Sequence, residues 1–232
     1  MVVETAVATG PVLTAHELYR FYHMGDEETA ALRGVSLSVH RGEMVAVVGP
    51  SGSGKSTLMA CLAGLDEPDG GHVVVAGARL TRRPESHRAT LRARHIGVLL
   101  QSGNLIEHLT VAGNIALAQS LAGPREGSHQ AAPAELLAGV GLTGRAGARP
   151  STLSGGEAAR AGLAVALANN PEILLADEPT AEVDGANEQR VLELLRHRVE
   201  AGRAVVVATH STRVAAGSDR VVRIVDGRIA DA

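Results

Sequence analysis

A five-residue apolar run, Met44–Val48, breaks abruptly into Gly49-Pro50-Ser51-Gly52-Ser53-Gly54 and then into Lys55-Ser56-Thr57. A short β-branched run bounded by turn residues reads as a buried strand, and Ser56–Leu65 has helical spacing. Strand, glycine loop and helix in this order fit the pattern G-x-x-x-x-G-K-[ST]. Glycines let successive backbone N–H groups face a polyphosphate, and the helix start adds unsatisfied donors and a favourable dipole. Lys55 can reach β- and γ-phosphates as a compact point charge, which the planar fork of arginine does not reproduce. Ser56 offers a hydroxyl to Mg²⁺. The loop therefore predicts a nucleotide site. Lys55 is also the only lysine among 22 basic residues, so a chain that otherwise uses arginine kept its lysine where the chemistry distinguishes the two.

Composition narrows the rest. The 232 residues include 45% hydrophobic and 20% charged side chains, enough to build a sizeable core. Tyr19, Phe21 and Tyr22 are the only Phe or Tyr residues and Trp is absent, so that core must come from Ala, Val, Leu and Ile. With a formal net charge of -3, the chain lacks the electrostatic footprint of a nucleic-acid binder, and none is expected as a partner. The run Arg79, Arg82, Arg83, Arg88, Arg92 and Arg94 has no interleaved aromatics and reads as a solvated helix face or a membrane-proximal edge. Cys61 is alone, which rules out an internal disulfide framework and a cysteine-based zinc site. The start, MVVETAVATGP, lacks the pattern of a signal peptide, and no uninterrupted apolar stretch is long enough to span a bilayer. A cytoplasmic location is expected.

Residues 1–11 read as a tail and 12–232 as one domain. Strand-like runs at 12–18, 32–39, 44–48, 73–75, 96–100, 172–176 and 204–208 alternate with helix-like segments at 55–65, 85–94, 111–122, 132–140, 154–169 and 184–201. This predicts an α/β fold with a mainly parallel sheet, an antiparallel accessory sheet from the early strands, and a helical subdomain inserted at about 101–170. Residues 123–130 (GPREGSHQ) read as an exposed linker within it.

Two further segments carry chemistry. Ile173-Leu174-Leu175-Ala176 is a strand that ends in Asp177-Glu178. Alternation along a strand points these acids in different directions, so Asp177 can hold Mg²⁺ through water while Glu178 orients or deprotonates an attacking water. Leu153-Ser154-Gly155-Gly156-Glu157 precedes a helix of small residues. Ser154 can cap that helix, and the bare glycines leave donors at its positive end; a plain N-cap and a second anion-binding end both fit.

In combination these motifs resemble those of the ATP-binding cassette (ABC) ATPases over about residues 12–229: GPSGSGKST at 49–57, Gln101 after a strand, LSGGE at 153–157, ILLADEP at 173–179, Asp184, and Thr209-His210. The resemblance implies a P-loop NTPase core that binds ATP and Mg²⁺ and hydrolyses the nucleotide. It makes Leu153–Glu157 the signature that closes over ATP held by a second copy, so that a head-to-tail homodimer sandwiches two nucleotides. It assigns Gln101 to a loop contacting Mg²⁺ and water, Asp184 to a loop crossing the dimer, and His210 to the γ-phosphate. It assigns Tyr22 to stacking on adenine, with Tyr19 as the alternative ring and hairpin packing as the structural use of both. An integral membrane permease is the implied partner, with the chain peripheral on the inner face of the cell membrane. The Gly64–Pro68 stretch, residues 95–101 and Glu157 look most like the branch of lipoprotein release and macrolide export.

Several positions depart from the family pattern. Ala158, Ala159 and Val165 replace larger or polar residues after the signature, Arg160 is kept, and Ala181-Glu182-Val183 precedes Asp184. Glu182 adds negative charge near an anionic ligand, so slow hydrolysis is expected. Two other functions stay open from sequence: a nucleotide-gated regulator of a membrane partner, and a soluble ABC ATPase of nucleic-acid metabolism.

Overall fold

A computed structural model describes residues 10–24, 27–123, 130–181 and 185–230. Two sheets and a set of helices share the chain. β1 (Leu13–Met24) and β2 (Glu27–Val39) form a long antiparallel hairpin, joined on its other side by β4 (Gly70–Val75) and the short β5 (Ala78–Arg79), in the order β2-β1-β4-β5. β1 is irregular, with its register shifting between Ala15 and Leu18. Glu17 there adopts a left-handed φ of 47° while its N–H donates to Ser36 Oγ at 2.9 Å.

The second sheet has the order β10-β9-β3-β8-β7-β6. β3 (Met44–Val48), β6 (Ile96–Leu99), β7 (Ile173–Asp177), β8 (Ala204–Ala208) and β9 (Arg220–Val225) run parallel, and β10 (Arg228–Ala230) returns antiparallel on β9. Every residue of β7 and β8 is buried. Burial on both faces is what an almost uninterrupted apolar strand requires, and alternation divides the contacts. In β8, Ala204, Val206 and Ala208 belong to one core cluster, whereas Val205 and Val207 belong to the other.

The first cluster lies between the two sheets, filled by Leu58, Cys61 and Leu62 of α1 (Lys55–Leu62) against Leu13, Leu18, Val45 and Val47. Burying each leucine contributes about 2 kcal/mol. The second lies under α3 (Val111–Ala122), α4 (Pro133–Gly139), α5 (Gly155–Ala166) and α6 (Gly185–Glu200). The small residues of α5 have a steric reason. A Cβ on Gly97 of β6 would sit 2.5 Å from Ala166 O, and one on Gly162 would sit 2.9 Å from Asn104 Cβ. A helix this close to a strand excludes bulk. α2 (Glu85–His95) precedes β6 and α7 (Thr212–Ala216) follows β8.

The expected α/β class with a mainly parallel sheet, an antiparallel sheet and helices between β6 and β7 matches this architecture. Several elements had not been expected from periodicity: β5, α7, β9 and β10. Two are closed by tight turns at Ala76-Gly77 and Asp226-Gly227, where both central residues have positive φ, 48° and 77°, then 48° and 72°. That pattern suits two-residue hairpins, and an Asp-Gly pair is a recognised signal for one. The linker at 124–129 and the segment Glu182–Asp184 lie outside the described residues.

Candidate nucleotide site

Three parallel strands deliver functional groups at their carboxyl ends: the glycine loop after β3, Asp177-Glu178 at the end of β7, and Thr209-His210 after β8. In the sheet order β3 lies next to β8 and β8 next to β7, so sequence-distant segments meet in one crevice. Crevices at the carboxyl ends of parallel strands are where open α/β sheets bind ligands.

The glycine loop is held tightly from behind. A Cβ on Gly49 would approach Ile224 O to 2.1 Å, and one on Gly54 would approach Ala31 O to 2.4 Å, with φ at 103°. No side chain other than hydrogen is sterically admissible at either position. The Asp226-Gly227 turn supplies the wall: Gly227 N–H donates to Ser53 O at 3.0 Å, and Arg33 N–H donates to Gly227 O at 2.7 Å. Sequence reasoning missed Ala31, Ile224 and Gly227 as parts of the loop's support, although the Asp-Gly pair was there to be read. Lys55 is only 6% exposed, and its ammonium donates to Gly49 O at 2.9 Å and Pro50 O at 3.0 Å. These carbonyls hold the charge over its own loop. α1 itself has no side-chain cap, because Gly54 occupies the N-cap.

Asp177 is buried, and its Oδ1 has no hydrogen-bond partner. An orphaned buried carboxylate oxygen is costly unless something else supplies positive charge, and oxygen donors suit Mg²⁺. The orphaned oxygen is of the donor type that ion takes. Glu178 stands in the left-handed region at φ 49°, a backbone strain typical of functional positions. Its N–H donates to Ala208 O at 2.9 Å, which locks the turn to β8. Glu178 Oε2 accepts from the His210 N–H at 3.2 Å, and Oε1 lies 3.2 Å from His210 Nε2. The His210 side chain is 53% exposed against 12% for Glu178. Thr209 is fully buried, and its N–H donates to Val47 O at 3.0 Å, tying the end of β8 to the end of β3.

Gln101 is exposed on the bend after β6. The loop's shape comes from Asn104, whose side chain accepts from Leu100 N and donates to Leu100 O, at 2.7 and 2.6 Å.

Tyr22 is anchored more firmly than an isolated stacking ring would be. Its hydroxyl donates to Asp66 Oδ2 at 2.8 Å, and the Arg20 guanidinium carbon lies 4.7 Å above the ring centroid. Burial, and then the Asp66 carboxylate, hold the phenol above its usual range. Thr57 of the α1 first turn is also a neighbour of the phenol, so Tyr22 sits beside the glycine loop with one face covered by Arg20. Tyr19 instead packs between two glycines: a Cβ on Gly34 would meet its hydroxyl at 2.9 Å, and one on Gly70 its Cδ2 at 3.1 Å.

The Leu153–Glu157 segment has no hydrogen bond or ion pair to residues 49–57 among the described residues. Ser154 Oγ accepts from Glu157 N at 3.2 Å, and Glu157 Oε2 accepts from Ser154 N at 3.0 Å, a closed capping box. Arg145 clamps the other carboxylate oxygen of Glu157, with Nη2 at 2.7 Å. The Ser154 N–H and then Arg145 hold the Glu157 carboxyl below its usual range. Behind it, the buried Arg160 donates to Asn187 Oδ1 at the start of α6, and a Cβ on Gly156 would sit 2.7 Å from Asn187 Nδ2. Asp184, the remaining predicted site residue, lies outside the described residues.

Much of the basic run is neutralised within the chain. Arg88 pairs with Glu67 and Glu85, each at 2.6 Å, and Arg92 pairs with Glu85 and donates to Gly64 O.

Comparison with known proteins agrees with this geometry. The family described as ABC transporter matches residues 32–181. The lipoprotein-releasing system ATP-binding protein LolD of Ruegeria pomeroyi is 44% identical over 94% of this chain and 97% of its own length. The macrolide export ATP-binding/permease protein MacB of Salmonella typhi is 41% identical over 90% of this chain. The chain matches only 32% of MacB's length, about a third of that relative. Among solved structures, the dimeric post-hydrolysis state of the ATP-binding cassette MJ0796, bound to ADP and Pi, superposes with a TM-score of 0.87 at 33% identity, covering 94% of this chain and 97% of that one. With the phosphate loop, the strand-end acids and the capped signature helix in these positions, the chain belongs to the ABC transporter ATP-binding family.

Proposed function

We propose that this chain is the ATP-hydrolysing subunit of a transporter, working as a pair of identical cassettes on the inner face of a membrane and driving a separate permease. The observation that carries this reading is the convergence of Lys55, Asp177, Glu178 and His210 at the ends of three adjacent parallel strands. No helix among the described residues is long and apolar enough to cross a membrane, which fits a division of labour with a permease chain. Likeness to LolD and MacB supports the branch of lipoprotein release and macrolide export.

The chemistry follows from the residues present. Incoming phosphates compete with Gly49 O and Pro50 O for the Lys55 ammonium, and the uncapped N–H groups of α1 take phosphate oxygens. Ser56 and Asp177, with Gln101 approaching from the β6 loop, would hold Mg²⁺. When bound, that ion supplies Lewis-acid stabilisation of phosphate charge. Glu178 orients the attacking water through its carboxylate oxygens. The nearby imidazole of His210 can donate to the charge developing on the transferred phosphoryl group. Tyr22 offers its free face to adenine. The signature of a second copy, with Asp184, closes the far side of each nucleotide.

Phosphate release by the wild-type chain and by Glu178→Gln tests the proposal. The variant is expected to lose about a hundredfold in rate while still binding ATP. Equal rates would remove Glu178 from the mechanism.

A further inference from the structure

A cavity of about 860 Å³ lies at the sheet edge opposite the nucleotide crevice, where His95 and Glu172 mark the amino ends of β6 and β7. From Glu172 to Asp177 the strand covers roughly 17 Å, so the cavity is separate from the phosphate loop. One wall is apolar, built by Leu136, Val140 and Leu167. The lining also carries two guanidinium groups, Arg198 at the end of α6 and Arg203 just beyond it.

These charges are poorly balanced. Arg198 donates only to neutral acceptors, Asn170 Oδ1 at 3.1 Å and Pro171 O at 3.0 Å, and its Nε is buried with no partner. No carboxylate among the described residues pairs with Arg198 or Arg203. Burial, and then the charge of Arg203, push the Arg198 guanidinium down to about 10, so it stays charged near neutral pH under opposition. The acids in the lining are committed elsewhere. Glu172 is held by His95, at 2.8 Å, and by Arg41, and Glu135 accepts the Ala132 N–H at 3.1 Å. His197, at the rim, faces Glu200 at 3.7 Å. A half-buried pair of like charges beside an apolar wall is relieved by an anion that brings its own apolar body.

We infer that this cavity binds a small amphipathic anion, a carboxylate on an apolar chain or ring, with Arg198 and Arg203 facing the charge and Leu136, Val140 and Leu167 taking the body. The site is distinct from the nucleotide crevice and would take a ligand without displacing ATP.

Isothermal titration of the full chain with octanoate tests this, with 1-octanol as the neutral probe and inorganic phosphate as the head-group probe. Octanoate is expected to bind one to one and more tightly than either control. Arg203→Gln is expected to weaken octanoate about tenfold, the scale of one charge-assisted hydrogen bond. Leu136→Glu, which puts a like charge on the apolar wall, is expected to abolish it, with circular dichroism confirming that both variants fold. Lys55→Ala is expected to leave octanoate binding unchanged. Equal affinity for 1-octanol, equal affinity for phosphate, indifference to Arg203→Gln, or loss of binding in Lys55→Ala would each overturn the assignment.

Discussion

The glycine-rich starts of α1 and α5 are built in opposite ways. α1 starts at Gly54, in a left-handed conformation with no side-chain cap, and its loop is shaped by backbone groups of Ala31, Ile224 and Gly227. α5 starts at Ser154, whose hydroxyl and the Glu157 carboxylate close a capping box that Arg145 clamps from outside. The first end leaves its donors unclaimed and aims a lysine over them. The second has its Ser154 and Glu157 N–H groups taken by the capping box, with the Glu157 carboxylate itself held by Arg145. Two glycine-rich helix starts therefore do not make two equivalent phosphate sites. The first leaves its donors open within its own chain, whereas the second is closed by its own capping box.

The comparison can be broken first at Lys55. Lys55→Ala should lower phosphate release about a thousandfold, because it removes the ammonium held over the uncapped end. It should hardly change the melting temperature, since Lys55 bonds only to its own loop. At the edge of the same end, Tyr22→Ala should weaken ATP about tenfold, measured by nucleotide titration, through loss of a stacking face. Tyr22→Phe should retain most of the affinity if the ring face, not the Asp66 hydrogen bond, is what matters.

A pair of serines sharpens the contrast further. Ser154→Ala should cost about 1 kcal/mol in denaturant unfolding, the usual penalty for losing an N-cap. Ser56→Ala, one residue inside the uncapped helix and exposed, should stay within about 0.5 kcal/mol. Equal losses would mean that the two ends are capped alike.

The smallest effect lies away from both ends. His95, and then Arg41, hold the Glu172 carboxyl down to about 2, against burial. Its folded-state pKa is below the unfolded value near 4.5, so its contribution is complete above about pH 4.5 and fades as pH falls toward 2. Glu172→Gln should flatten the acid limb of a stability–pH profile in that window and leave turnover near neutrality unchanged.

Much of this was legible in the sequence because it is local. The apolar run Met44–Val48 and the run that ends at Asp177 are strands, and Gly54 takes a left-handed φ at the start of α1. Ser154 and Glu157, three residues apart, spell a capping box. Other features were invisible to periodicity. β9 (RVVRIV) does not alternate cleanly in sequence and β10 has three residues, and only the Asp226-Gly227 pair announced them. Tyr19 and Tyr22 looked interchangeable, yet one ring lies against Gly34 and Gly70 of the antiparallel sheet while Asp66 and Arg20 fix the other beside α1. Those partners are distant along the chain, so no local window contains the choice.

By itself the sequence determined which chemistry is present: a phosphate loop with the only lysine, two acids at a strand end, a capped glycine helix and a histidine after a strand. Such features depend on backbone geometry within a few residues, where side-chain type decides φ, capping and period. Only the tertiary structure decided which of them meet. The order β3-β8-β7 brings Lys55, Glu178 and His210 to one crevice and leaves Ser154 on another helix end, because parallel pairing joins strands whose separation in sequence is unconstrained by local rules.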